Sequence, residues 1–122
     1  MTTGTTSSNA PMDEYVTVDV QTAFEALDAD DGAQIVDVRE ADEWANTGVP
    51  PDAVLIPLGQ LEARAPDELA KDRPVYVICN SGNRSRTGSE ILLSLGFTEV
   101  YNVAGGIQDW IASDLPVESY SG

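Results

Sequence analysis

The chain's only cysteine, Cys79, opens the stretch C-N-S-G-N-R-S-R and is the residue with the most chemistry to offer. Small residues follow it, and then come two arginines, Arg84 and Arg86, in a protein whose formal charge is −15. A backbone of small residues can curl so that several amide N–H groups face one point, and such a nest binds an anion. These amides, the start of a following helix and the charge of Arg84 would all favour a thiolate over a thiol. We therefore interpret Cys79 as a nucleophile held in an anion-binding loop.

A second interpretation is that Cys79 is an unreactive core residue, because free cysteine is among the most buried residue types. A lone cysteine would favour this alternative, but the small residues and arginines directly after it reverse the preference. Ser81 and Ser85 are weaker candidates for a nucleophile, because nothing in the sequence supplies a base for them. We expect both serines to form hydrogen bonds within the loop.

The segments that must position this loop alternate between strands and helices. Apolar runs bounded by polar, glycine or proline residues predict strands at 15–18, 33–38, 53–56, 75–79 and 99–103. Apolar residues at helical spacing predict helices after Asp19, at 41–45, at 84–95 and after Gly106, with short helical turns on either side of Pro66. The pattern is typical of an α/β fold with a central, mostly parallel five-stranded sheet flanked by helices on both faces. Cys79 would then lie at the carboxyl end of a strand, where open α/β sheets bind ligands.

The composition describes one globular domain in a reducing compartment. Of the 122 residues, 42% are hydrophobic, which suffices for one core. We place this domain at residues 13–118, between a flexible N-terminal tail at 1–12 and a C-terminal tail at 119–122. One cysteine cannot form an internal disulfide, so we predict a cytoplasmic protein. Without histidine and with a single cysteine, the chain is expected to hold no metal and no cofactor.

The charge balance of 21 acidic against 6 basic residues restricts the partners. Nucleic acids and anionic membrane surfaces would be repelled, so we expect the protein to bind neither. Lys71 is the one lysine beside five arginines, and acidic chains poor in lysine are typical of salt-loving organisms. We favour a halophilic protein over an unusually acidic mesophilic one.

The loop also carries a specific resemblance. C-N-S-G-N-R-S, from Cys79 to Ser85, resembles the C-x-x-G-x-R-S active-site loop of single-domain rhodanese-like sulfurtransferases. Other segments resemble the same family in the expected order across residues 15–117. They are Asp37–Glu40 with Glu43 and Trp44, Ala53–Leu58, Leu95–Phe97, Val100–Val103, Gly105–Gly106 with Trp110, and Leu115–Val117. The chain departs from the family at Gly48–Ala53, which reads G-V-P-P-D-A where the family usually has G-H-I-P-G-A.

The resemblance implies a rhodanese-like domain that transfers sulfane sulfur through a persulfide on Cys79. The donor would be a small anion such as thiosulfate, or another persulfide, and the acceptor would be cyanide, a thiol or a sulfur-acceptor protein. The implied donor-binding residues are Asn80, Ser81, Gly82, Asn83, Arg84 and Ser85. Their amides would stabilise the persulfide anion, and Arg84 would help to position the donor. The loop is thus expected to be a small positive pocket set into an acidic surface.

Asp37 and Arg39 are expected near this loop, at the end of a neighbouring strand. Arg39 could pair with Glu43 as structural support or face the site, and we favour support.

Two other functions stay open at this point. One is a sulfur-carrier or binding module that turns over slowly or not at all within a thiolation relay. The other, more distant, is a phosphatase, because the related Cdc25-type phosphatases have five residues between the cysteine and the arginine of the loop. Here four residues separate Cys79 from Arg84. The smaller ring suits a single sulfur and favours sulfur transfer.

Overall fold

The computed structural model describes residues 11–121, so most of the tail predicted at residues 1–12 lies outside the described residues. Five strands and five helices alternate along the described chain. They are β1 (Val16–Val18), α1 (Val20–Ala29), β2 (Gln34–Asp37), α2 (Ala41–Thr47), β3 (Val54–Leu55), α3 (Leu58–Glu68), β4 (Val75–Ile78), α4 (Asn83–Ser94), β5 (Val100–Val103) and α5 (Gly106–Ala112). No helix within residues 11–121 is long and apolar enough to cross a membrane.

The strands form one sheet in the order β1-β5-β4-β2-β3, and every neighbouring pair is parallel. The five-stranded α/β architecture predicted from the sequence is confirmed, and its sheet is wholly rather than mostly parallel. All five strands therefore end at the same edge of the sheet. β4 is the central strand, and Cys79 follows its last residue directly.

Side-chain alternation along β4 divides the core into two layers. Val75, Val77 and Cys79 belong to the cluster on the α3 and α4 side of the sheet, whereas Tyr76 and Ile78 belong to the cluster on the α1 and α5 side. The helices contribute Leu61, Ala65 and Leu92 to the first cluster and Val20, Ala23, Ile107 and Trp110 to the second. Helices thus cover both faces, as parallel strands with two apolar faces require.

Helix α3 corrects one prediction, because it runs unbroken through Pro66 instead of forming separate turns on either side. Proline lacks the N–H that would bond four residues back, but Pro66 is near the end of the helix, where one such bond is lost. The amide of Leu69 still donates to the carbonyl of Ala65 at 2.9 Å. Leu61 and Ala65 are fully buried against the sheet, so packing of this face keeps the segment helical.

The turn before β3 contains Gly48–Ala53, the segment in which the sequence departs from the motif that it otherwise resembles. Asp52 replaces the second glycine of that pattern, and its φ is +63°. Aspartate is one of the few non-glycine residues that visit the left-handed region, so the turn forms without the glycine.

The last described residues lie against α2. Glu118 forms an isolated antiparallel bridge with Val49. The ring of Tyr120 meets the ring of Trp44 edge-on, with the ring centroids 5.3 Å apart.

A buried ion pair joins the end of β2 to the end of α2. Asp37 and Arg39 are both fully buried, and Nη2 of Arg39 lies 2.8 Å from Oδ2 of Asp37. Arg39 also donates to the Thr47 hydroxyl at 2.9 Å and to the carbonyl oxygen of Gly48 at 3.0 Å. The expected pairing of Arg39 with the Glu43 carboxylate is wrong: the nearer Asp37 takes the guanidinium, and Arg39 approaches only the backbone carbonyl of Glu43, at 3.5 Å.

This pair predicts a large difference between two arginine variants. Arg39→Ala leaves the Asp37 charge buried without its partner, so we expect the free energy of unfolding to fall by about 3–5 kcal/mol. Arg64→Ala breaks the exposed Arg64–Glu68 pair on α3 and should change it little. Urea unfolding of both variants makes the comparison, and equal stabilities for the two would contradict the supporting role of Arg39.

Candidate active site

The Cys79 sulfur lies beneath a short loop that runs from the end of β4 to the start of α4. The residue is 1% exposed, so the loop nearly covers it. Gly82 turns the chain into α4 with a φ of +111°, a backbone angle that side chains rarely permit. This turn directs the Gly82 amide at the sulfur, with the nitrogen 3.1 Å from Sγ.

Burial opposes ionisation of this thiol, and the loop reverses the effect. Desolvation raises the pKa of Cys79, but hydrogen bonds from the Ser85 hydroxyl and from the amides of Ser85, Gly82 and Ser81 lower it. The balance leaves the pKa of Cys79 below the usual value of a cysteine. Hydrogen bonds to the charged form are one of the ordinary ways in which proteins lower a pKa. The site can therefore hold a thiolate, or a negatively charged group attached to that sulfur.

The hydroxyl of Ser85 connects Cys79 to β5, the strand next to β4, and through it to β1. Its oxygen lies 3.3 Å from Sγ of Cys79 and 2.5 Å from Oδ1 of Asn102 on β5. A hydroxyl has one hydrogen to donate, so it can serve either the sulfur or the amide oxygen at a given moment. The Asn102 side chain in turn donates to the Thr17 hydroxyl at 3.3 Å. The Ser85 and Asn102 side chains are both buried, so the packing around them limits their movement and keeps these contacts in place.

The start of α5 forms backbone hydrogen bonds to the residues that lead into the loop. The amides of Ile107 and Gln108 donate to the carbonyl oxygens of Cys79 and Asn80, at 2.8 and 3.2 Å. Gly106 permits this approach, because its φ is +59° and a Cβ there would collide with both carbonyl oxygens. Gly106, the first residue of α5, therefore lets the helix hold in place the two residues that lead into the loop.

Arg84 does not present a free charge at the loop. Its two terminal nitrogens donate to the two carboxylate oxygens of Glu43, each at 2.8 Å. The hydrogen bond from Arg84 outweighs desolvation and lowers the pKa of Glu43 to about 2. The expectation of a positive pocket is wrong on this point, since the Arg84 charge is matched by a carboxylate from α2.

Arg86 lies on the other flank of the loop and forms no ion pair with any residue between 11 and 121. It donates to the side-chain oxygen of Asn83 at 3.2 Å. A cavity of about 200 Å³ is lined here by Arg86, Ser81, Gly82 and Asn102, among others.

In the described part of the chain, no group of acidic, histidine or cysteine side chains is arranged to hold a metal ion.

The predicted site residues divide into three groups. Gly82 and Ser85 contact the sulfur of Cys79, and the Ser81 amide contributes to lowering the Cys79 pKa. Asn80 and Asn83 brace the loop through their contacts with α5 and Arg86, whereas Arg84 reaches across to α2. Asp37 and Arg39 form a buried brace at the same edge of the sheet.

Two residues of the site were not predicted to take part in it. In the sequence, Asn102 and Glu43 stand out only as members of the motifs that resemble the family, and Glu43 also as a possible partner for Arg39. An acidic residue three positions after Glu40 does signal a helix start. Nothing local signals that Glu43 reaches a residue 41 positions away.

Comparison with known proteins agrees with this architecture. The family model described as "Rhodanese-like domain" matches residues 20–113. The chain belongs to the rhodanese-like domain family. One relative is the YrkF protein of Bacillus subtilis, named for a proposed role as a sulfur carrier, which is 40% identical over 69% of this chain. The match covers 44% of YrkF, so this chain spans less than half of that relative.

A relative of similar length and a solved structure extend the comparison. The thiosulfate sulfurtransferase GlpE of Actinobacillus pleuropneumoniae serotype 3 is 35% identical, over 80% of this chain and 87% of GlpE. The crystal structure of a rhodanese-related protein from Thermoplasma volcanium superposes with a TM-score of 0.76 and 32% identity. That match covers 87% of this chain and the whole of the other. The resemblance to the rhodanese-like family is thereby confirmed, in sequence and in fold.

The hydrogen bonds around the sulfur predict how its acidity depends on Ser85. Ser85→Ala removes one donor to the thiolate, so we expect the pKa of Cys79 to rise. Alkylation by iodoacetamide, followed as a function of pH, measures this directly because the thiolate is the reacting form. Ser94→Ala is a matched control, since the Ser94 hydroxyl is exposed on the same helix and donates to Ile91. Identical pH profiles for wild type and Ser85→Ala would contradict the assignment.

Proposed function

We propose that the protein is a sulfurtransferase that moves sulfane sulfur through a persulfide on Cys79. The observation that carries the proposal is the arrangement around that sulfur. Amides of Ser81, Gly82 and Ser85 and the Ser85 hydroxyl lower the thiol pKa in spite of burial. The family membership and the GlpE relative, named a thiosulfate sulfurtransferase, give the chemistry its class.

The first half of the reaction loads the cysteine. The Cys79 thiolate attacks the outer sulfur of thiosulfate, a new S–S bond forms, and sulfite leaves with the electron pair of the old S–S bond. A persulfide donor reacts in the same way and releases a thiolate. The product is a persulfide anion on Cys79, and the loop amides that favoured the thiolate would bind its outer sulfur.

The second half of the reaction transfers the outer sulfur from Cys79 to an acceptor. A nucleophilic acceptor, cyanide in a test or a thiol in the cell, attacks the outer sulfur and the Cys79 thiolate leaves. The leaving group is again stabilised by the loop, so both halves use the same hydrogen bonds. No base is needed to deprotonate Cys79 if its lowered pKa keeps enough thiolate present.

The small size of the loop after Cys79 supports sulfur transfer over phosphate chemistry. Three residues lie between Cys79 and the first residue of α4, and the Gly82 amide already touches the sulfur. We place the activity in the cytoplasm, where a free cysteine stays reduced.

A sulfur-carrier role is the second candidate, and the YrkF relative favours it through its name. A carrier would form the same Cys79 persulfide but pass it to one protein partner. The two functions therefore differ in the acceptor and not in the loading step.

A cysteine variant tests the proposal. We expect wild type to produce thiocyanate from thiosulfate and cyanide and Cys79→Ser to produce none above background, because serine has no accessible anion at neutral pH. Intact-mass measurement after incubation with thiosulfate should show one added sulfur in wild type alone. Added sulfur without thiocyanate would favour the carrier, and equal thiocyanate rates in both proteins would remove Cys79 from the reaction.

The charge of the protein predicts an unusual dependence on salt. At a formal charge of −15 the protein repels anionic thiosulfate at low ionic strength. Screening shortens the reach of this field to roughly 3 Å at 1 M salt. The apparent KM for thiosulfate should therefore fall as potassium chloride is added, measured with the thiocyanate assay. A KM that stays constant, or rises, over this range would contradict the repulsion.

A further inference from the structure

The Arg84–Glu43 pair occupies the groups that a dianionic donor would need. A guanidinium binds an oxyanion best through two parallel N–H bonds, and both terminal nitrogens of Arg84 already point at Glu43. Glu43 is itself held in place, because its Oε1 accepts the Glu40 amide at 3.0 Å where α2 begins. The pair is about one-third exposed, so it borders solvent at the loop.

The charges at this position leave no net attraction for a second anion. Glu43 is ionised at neutral pH, because its pKa is about 2, and it cancels the charge of Arg84. The hydrogen bond to Glu43 is the main cause that raises the pKa of Arg84, and the electrostatic effects of Cys79 and Glu40 raise it further. A donor with two negative charges that would use the Arg84 guanidinium therefore meets the Glu43 carboxylate already bound to it.

We propose that Glu43 is a specificity-determining residue that disfavours dianionic donors such as thiosulfate and selects sulfane donors of lower charge, persulfides above all. This inference rests on the proposed function, since it concerns the donor of the same Cys79 reaction. The Cys79 thiolate attacks the outer sulfur of the persulfide, the new S–S bond forms as the old one breaks, and the donor's thiolate leaves with the electron pair. This step needs no oxyanion site, so an occupied Arg84 does not impede it.

The test compares two donors that differ in charge but release the same sulfur. Thiosulfate carries two negative charges and benzenethiosulfonate carries one, and each transfers its outer sulfur to a thiolate, releasing sulfite or benzenesulfinate. The rate of sulfur addition to Cys79 is followed by intact mass at low salt in wild type, Glu43→Gln and Glu68→Gln. Glutamine keeps an oxygen for the Glu40 amide but removes the charge.

Glu68→Gln is the matched control. Glu68 accepts two hydrogen bonds from Arg64, at 2.7 and 3.0 Å, so it forms a similar forked pair on α3. Its replacement changes the net charge by the same amount as Glu43→Gln. Any effect of overall charge therefore appears in both variants, and only an effect of the loop distinguishes them.

We expect Glu43→Gln to raise the loading rate with thiosulfate by at least about tenfold and with benzenethiosulfonate by less than about threefold, since one removed charge acts more strongly on a dianion. Glu68→Gln should leave both rates unchanged. Equal changes for the two donors, or a loss with both, would overturn the proposal and make Glu43 a structural support of the loop.

Wild type alone supplies a second measurement if Glu43→Gln does not fold. At 1 M salt, where the field of the whole protein reaches only roughly 3 Å, the ratio of the thiosulfate rate to the benzenethiosulfonate rate should still be at least about tenfold lower for Cys79 than for free N-acetylcysteine. Equal ratios would overturn the proposal. Failure of the proposed function looks different, because then no variant gains a sulfur from either donor and both inferences fall together.

Discussion

The interactions on which the site depends are the hydrogen bonds to the Cys79 sulfur, because they favour a charged sulfur in a place where burial opposes it. The residue is 1% exposed, and desolvation by itself raises its pKa. A hydrogen bond to a charged group contributes about 1.5–3 kcal/mol, so several converging donors can offset a penalty of several kcal/mol. The amides of Ser81, Gly82 and Ser85 and one hydroxyl supply them. A negative charge on this sulfur is thus stabilised mainly by neutral dipoles whose positions the backbone sets.

Neutral dipoles are effective only where the backbone holds them in place, and the fold does so on three sides. The central strand β4 places Cys79 at the end of the sheet where the carboxyl ends of the strands lie, between β5 and β2. The amides of α5 bond the carbonyls of Cys79 and Asn80, which Gly106 allows to come close. The buried Asp37–Arg39 pair ties the neighbouring strand to α2 and so fixes the helix that carries Glu43. Preorganisation of this kind avoids reorganisation when the charge on sulfur changes.

The sequence was sufficient for the parts of this arrangement that depend on local pattern. The apolar run before Cys79 predicts β4, and the helix predicted after Asp19 begins at Val20, where the Asp19 carboxylate accepts the Thr22 amide at 2.8 Å. Local pattern did not predict the features that tertiary packing or residues distant in sequence determine. Burial of the α3 face overrides the break expected at Pro66. Which carboxylate an arginine takes depends on three-dimensional distance, so Arg39 and Arg84 could not be given their partners from spacing alone.

An acidic chain gives a reason for building the anion site from amides. Three of the six basic side chains, Arg39, Arg64 and Arg84, form ion pairs with carboxylates in the described residues. With 21 acidic residues in the chain, an arginine placed to bind an anion has carboxylates of the protein itself as competitors. Backbone N–H groups avoid this competition, because the turn at Gly82 directs its amide at one sulfur, with a φ of +111° that residues with a side chain rarely adopt. The Gly82 amide therefore remains directed at the Cys79 sulfur while the Glu43 carboxylate binds Arg84. In the proposed mechanism the two kinds of donor then have separate tasks: the amides bind the reacting sulfur, and the Arg84–Glu43 pair selects the sulfur donor.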